Sequence, residues 1–200
     1  MVRPQVERSI AEALKNYPKG SILFVDDFLE CGNPESVKKA LLRLKEKGIL
    51  VRLSHGIYLF PKVDKELGVL FPSMEEIAKA IARRDKARIV LTGVQALHKL
   101  GLSAQVPMKV VYLTDGAART VKVGKRSITF KKTSPKNLLI QGEISGLAMQ
   151  ALKTIGRQKA DEKIITKIQA LLKNEKREHI INEAKLSPVW IRKIFMQVIE

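Results

Sequence analysis

The stretch GSILFVDDFLECGNPESVKKALLRLKEKGILVRLSHGIYLF, residues 20–60, decides how the chain folds. Its apolar triplet Ile22-Leu23-Phe24 predicts a short strand. Asp26 and Asp27 suit the positive end of a helix dipole and predict a short helix over 26–30, with Phe28 and Leu29 turned to the core. Asn33-Pro34 is a strong start signal, because Asn accepts from the orphan amides and Pro is tolerated at the first helical position. A second, longer helix over 34–47 follows, with Val37, Ala40, Leu41 and Leu44 as its buried stripe and Gly48 as its left-handed stop. Leu50 onward has strand character, Ser54-His55-Gly56 gives a turn, and Ile57 to Phe60 returns as the partner strand. Strand, short helix, longer basic helix and hairpin, in that order, read as a winged helix-turn-helix, an arrangement that presents a helix to the DNA major groove.

On the longer helix a projection at about 100° per residue sets Lys38 and Lys45 on one flank of the exposed face and Ser36, Lys39 and Arg43 on the other. Glu35, Leu42 and Glu46 fall at its centre. Carboxylates there repel phosphates, so either they accept from cytosine amino groups or the helix sits obliquely with one flank in the groove. Arg52 and His55, at the edge and tip of the hairpin, are candidates for phosphate or minor-groove contact. The DNA-reading candidates are therefore Ser36, Lys38, Lys39, Arg43, Arg52 and His55.

Outward from this stretch, Val6, Ile10, Ala13, Leu14 and Tyr17 recur at three and four and predict a helix over 5–16, stopped by Pro18 and Gly20. Residues 61–72 hold two prolines, a glycine and alternating charges and read as a linker. The boundary falls near residue 70, giving a domain of 1–70 and another of 71–200. Ser73-Met74-Glu75-Glu76 fits a capping box and opens a helix to about Arg84. A short apolar segment 89–91, a helix over 94–100 and a central strand over 108–113 come next. Thr120 to Val123 and Ser127 to Lys132 form a hairpin with Val121, Val123, Ile128 and Phe130 inward and Lys122, Lys125, Arg126 and Lys131 toward water. The remainder is helical over 141–155, 161–174 and 178–184. A last helix is capped by Ser187, with Pro188 at its first position, and these helices close the C-terminal core. The fold class is α+β: a winged helix-turn-helix, then a basic α+β domain with a small antiparallel sheet and C-terminal helices.

Charge points to the partner. The 200 residues carry a formal net charge of +17, and the common physical partner of such a surplus is a polyanion, usually nucleic acid. Residues 1–72 hold 12 basic and 9 acidic side chains, 73–140 hold 14 and 4, and 141–200 hold 11 and 7. The surplus is concentrated behind the helix-turn-helix, in the stretch that carries the basic hairpin face.

Cys31 is the one cysteine, so no intramolecular disulfide can form; it reads as a small buried hydrophobe. With no secretory signal and no run of about 18 apolar residues, a cytoplasmic location is expected. The histidines His55, His98 and His179 lack partners at metal-ligand spacing, and no phosphate-binding glycine motif or nucleophile elbow occurs. The expectation is therefore no enzyme, no metal and no cofactor.

The run Thr92-Gly93-Val94-Gln95-Ala96-Leu97-His98-Lys99-Leu100-Gly101-Leu102, set between the helix-turn-helix and an apolar strand with a basic hairpin, resembles the AbiEi-type antitoxin family. Its members are the antitoxins of type IV, abortive-infection toxin–antitoxin systems. The resemblance implies an autorepressor that binds inverted repeats upstream of its own operon. It also implies counteraction of a nucleotidyltransferase-type toxin without a stable complex. Inverted repeats need two such proteins, as a weak homodimer or as cooperating monomers. Two alternatives stand beside this one: a stand-alone regulator with a dimerisation or sensing domain, and a structured-RNA-binding protein. The low aromatic content, 5%, disfavours base stacking on single strands.

Overall fold

The computed structural model describes residues 3–104 and 109–199. The fold is α+β, and the chain divides into two compact units. One runs to Ile81 and includes Val121–Lys125; the other takes Ala82–Thr120 and the chain from Arg126 onward. The first unit thus passes the expected boundary at residue 70 and takes in most of a further helix.

In the first unit, α1 (Arg3–Ala13) ends in a 3₁₀ turn and leads to β1 (Ile22–Phe24). The short helix expected over 26–30 is a 3₁₀ segment, Val25–Cys31, in which the Asp27 carboxylate accepts from the Phe24 amide at 2.7 Å. Phe28 is buried, but Leu29 is 45% exposed and not a core residue. The segment is kinked at Phe28, whose φ of −124° and ψ of 16° are not helical, so Phe28 and Leu29 do not share one helical face. Cys31 is only partly buried, and burial followed by the neighbouring Glu30 charge raises its thiol pKa. α2 (Pro34–Glu46) starts where Asn33 accepts from the Ser36 amide at 2.9 Å. It ends before Gly48, whose φ is +71°.

β2 (Val51–Ser54) and β3 (Ile57–Leu59) form the expected hairpin, and β1 adds antiparallel to β3 with Ile22 opposite Leu59. Val6, Ile10, Leu14, Leu23, Phe28, Val37, Leu41, Leu44 and Tyr58 fill one core beneath these elements. Residues 61–72 are not an unstructured linker. They fold into a second antiparallel hairpin, β4 (Lys62–Asp64) and β5 (Gly68–Leu70). The turn is built by Asp64, which accepts from the Glu66 and Leu67 amides at 2.9 and 3.0 Å, and by Gly68 at φ +71°. An Asp that binds amides two and three residues on makes a turn from a segment whose composition reads as a linker. α3 (Met74–Arg84) opens with the expected capping box: Ser73 Oγ accepts from the Glu76 amide at 3.1 Å and Glu76 from the Ser73 amide at 2.7 Å.

β6 (Ile89–Leu91) begins a four-stranded sheet of order β6-β7-β9-β8, with α4 (Gly93–Lys99) between its first two strands. β7 is Lys109–Thr114, β8 is Arg119–Val123 and β9 is Arg126–Lys132. Met108, expected to start the central strand, lies outside the described residues. β6 pairs antiparallel with β7, whereas β7 and β9 run parallel, with Tyr112 opposite Phe130. The sheet is therefore mixed, because β9 inserts between β7 and its own hairpin partner. Ile128 and Phe130 are buried as the alternation requires.

The helices α5 (Glu143–Ile155), α6 (Glu162–Leu172), α7 (Arg177–Leu186) and α8 (Val189–Met196) close a second core around Met149, Leu152, Ile168, Leu172, Ile191 and Phe195. Ser187 is not the cap of α8. Preceding a proline, it is held extended at ψ 156°, and its hydroxyl donates back to the Glu183 carbonyl at 2.7 Å. Pro188 takes the cap position itself.

α5 is capped by side chains from far along the chain. The wholly buried Glu183 accepts from the Gln141 amide at 2.7 Å, the Ser145 hydroxyl at 2.8 Å and Asn182 Nδ2 at 3.1 Å. Glu175 accepts from the Ile144 amide at 2.8 Å and from Lys176 and His179 Nδ1, each at 3.0 Å. Two carboxylates thus meet the positive end of one helix dipole.

Close approach of α4 to α5 depends on Gly93, where an added Cβ would lie 2.6 Å from the Gln150 carbonyl oxygen and still closer to the Thr154 side chain. Gly93→Ala is expected to cost about 1–3 kcal/mol through overpacking, measured by urea unfolding against the unsubstituted protein.

Candidate nucleic-acid interface

The exposed face of α2 carries Glu35, Lys38, Lys39, Leu42, Lys45 and Glu46, while its opposite stripe is buried against α1. The two flanks of that face differ. On one side Glu7 of α1, whose side chain is 14% exposed, holds Arg43 at 3.9 Å and Lys47 more closely. Lys39 pairs with Glu35 one turn before it at 3.1 Å, and Ser36 is half-buried with its amide on Asn33. Of the candidates on this flank, Arg43 is tied to the scaffold and Lys39 to a neighbouring carboxylate. Lys38 and Lys45, on the other flank, are exposed, and among the described residues no carboxylate pairs with them.

The β2–β3 hairpin brings Arg52 and His55 together. Arg52 Nε donates to the Ser54 carbonyl at 3.2 Å, and its Nη2 lies 3.1 Å from His55 Nδ1. A guanidinium only donates, so Nδ1 accepts and the ring proton sits on Nε2. Gly56, at φ +69°, makes the turn that allows this closure. Just past the far end of β3, Lys19 lies over the Phe60 ring with Nζ 3.6 Å from the centroid, a contact no local signal announces. Glu7 was equally hidden, because its partners lie 36 and 40 residues away and periodicity along α1 says only that it is off the apolar stripe.

In residues 73–140 every acidic side chain is engaged. Glu75 pairs with Lys79 at 2.8 Å and Glu76 caps α3. Asp85 binds Arg84 at 2.9 Å and also Arg119. Asp115 receives both the Arg88 side chain at 2.9 Å and its amide at 2.7 Å, which lower its pKa. Of the cations left over, five lie on or beside the β8–β9 turn and strand ends. Lys122, Lys125, Arg126, Lys131 and Lys132 are all exposed, and among the described residues none is paired with a carboxylate. Lys122 and Lys131 alternate with inward Val123 and Phe130, which holds their ammonium groups out in water. A field of unpaired ammonium and guanidinium groups attracts phosphates and releases their counterions.

Among the described residues no group of three or more His, Cys, Asp or Glu could hold a metal ion. No described helix is long and apolar enough to cross a membrane. A cleft of about 270 Å³ is lined by Leu172, Lys173, Glu175, Arg177, Ile180, Val198 and Ile199.

Compared with known proteins, the chain belongs to a family of unknown function, DUF6088, whose model matches residues 9–180. No curated protein matches its sequence. Among solved structures it is similar to the crystal structure of the RV2827C protein from Mycobacterium tuberculosis, at 13% identity and a TM-score of 0.49, over 96% of this chain and 81% of that one.

Proposed function

We propose that this member of the DUF6088 family is a DNA-binding antitoxin of the type IV, AbiEi-like kind, which represses its own operon and counteracts a nucleotidyltransferase-type toxin. The observation that carries the DNA-binding half is the arrangement of the first unit. α2 stands with a polar face in water, backed by α1, and a three-stranded sheet ends beside it in a hairpin tipped by Arg52 and His55. In a winged helix-turn-helix the helix enters the major groove and the hairpin lies along the backbone. The basic hairpin β8–β9 adds sequence-independent attraction for phosphates.

Sequence reading and affinity are thus divided between different parts of the chain. α2 supplies few unpaired cations, and the surplus of residues 73–140 supplies many. Repression then follows from occupancy of the operon's own upstream DNA. The antitoxin half rests on the resemblance carried by Thr92 to Leu102 and is tested separately. Co-expression with a nucleotidyltransferase-like gene lying immediately downstream is expected to restore growth that the toxin alone arrests. Unrelieved arrest at equal protein levels leaves a stand-alone repressor.

A further inference from the structure

On the outward face of α2 the residues Lys38, Leu42 and Lys45 follow at i, i+4 and i+7 and so form one stripe. Leu42 is 38% exposed at its centre, with both lysines open to solvent one turn away on either side. Glu35 and Glu46 border the same leucine on its other side, and carboxylates exclude phosphates there. Docking to a duplex is therefore polarised, with the lysines turned to the backbone and Leu42 between them and the carboxylates.

A lone exposed leucine is ordinary on any surface. This one sits where a major-groove helix meets base edges, and it can neither donate nor accept a hydrogen bond. The one apolar group that base edges present in the major groove is the C5-methyl of thymine. We propose that Leu42 is a specificity-determining residue that packs on a thymine methyl group, so that each half-site carries a thymine at one fixed position. This deepens the DNA-binding reading above and rests on it.

The test begins with the full-length protein selecting duplexes from a random-sequence DNA pool. Each thymine of the selected duplexes is then replaced by deoxyuridine, which removes the methyl and keeps every hydrogen-bonding group. At one position per half-site the substitution should weaken binding about fourfold, the worth of a buried methyl. Leu42→Ala should abolish that sensitivity, and Leu42→Met, which restores apolar contact, should retain it. Lys38→Ala with Lys45→Ala should weaken thymine and deoxyuridine duplexes alike. A wild-type protein indifferent to deoxyuridine at every position, or a Leu42→Ala variant that stays sensitive, overturns the inference while leaving duplex binding intact. Failure to enrich any duplex would instead remove the DNA-binding reading itself, and the inference with it.

Discussion

Reversing Lys122, Lys125, Arg126 and Lys131 to glutamate is expected to leave the protein folded and to lower its affinity for duplex DNA by about a hundredfold or more at low salt. These side chains are exposed, and the residues that alternate with them carry the packing, so unfolding by urea should be nearly unchanged. If the four contact phosphates, their removal lowers the slope of log affinity against log salt by about 3–4, at about 0.9 per contact. Binding isotherms across a salt series give this number directly. Unaltered affinity and slope would make the hairpin face a solubilising surface only. A change at Arg52 is smaller in expectation, because a single guanidinium accounts for about one contact.

The second large effect concerns stability. Glu183 is wholly buried and accepts hydrogen bonds from the Gln141 amide, the Ser145 hydroxyl and Asn182, which between them fix the start of α5. Glu183→Ala leaves the Gln141 amide and the Ser145 hydroxyl without this acceptor, whereas Asn182 keeps its bond to the Leu139 carbonyl; at about 1–3 kcal/mol for each lost partner, a loss of at least about 2 kcal/mol is expected. Glu183→Gln keeps one acceptor oxygen and should cost clearly less. Thermal and urea unfolding of the three proteins measure the order. Equal stability of all three would show that α5 does not depend on this cap.

Glu175, on the same helix end, adds a pH dependence. Burial raises its pKa, but the bonds from His179, Lys176, Ser145 and Ile144 outweigh it, and the carboxyl titrates below the ordinary 4.5. A depressed folded value contributes stability that is complete above the ordinary carboxylate range and is lost as pH falls through the folded value. Acid unfolding of Glu175→Gln should accordingly lack part of the stability that the unsubstituted protein gains as pH rises from that acid window.

Local chemistry made much of the fold legible. Asn33-Pro34 and Ser73-x-x-Glu76 mark helix starts because a cap is completed within three residues, and period-two alternation placed Ile128 and Phe130 inward. What escaped was made by partners distant in sequence or by a single side chain acting on its neighbours. Asp64 turned an apparent linker into a hairpin by binding two amides. Ser187 looked like a cap, yet its hydroxyl closes α7 because the following proline holds it extended. The parallel pairing of β7 with β9 depends on which strand wins the central place, and no single strand's pattern encodes that.

The candidate interface divides the same way. Lys38, Lys45, Arg52 and the hairpin cations could be listed from projection and alternation. That Arg43 and Lys47 are held by Glu7 and that Arg52 meets His55 required the tertiary arrangement. The effect is to move weight on α2 from the Arg43 flank to the Lys38–Leu42–Lys45 stripe, the face left open to a duplex.

The most direct test is a competition titration with the full-length protein and the DNA immediately upstream of its own reading frame. Tight binding at low salt, a log–log salt slope of several units and preference over both unrelated duplex and structured RNA are the expected results. No complex with that DNA at low salt, or stronger binding to the RNA, would contradict a DNA-binding repressor.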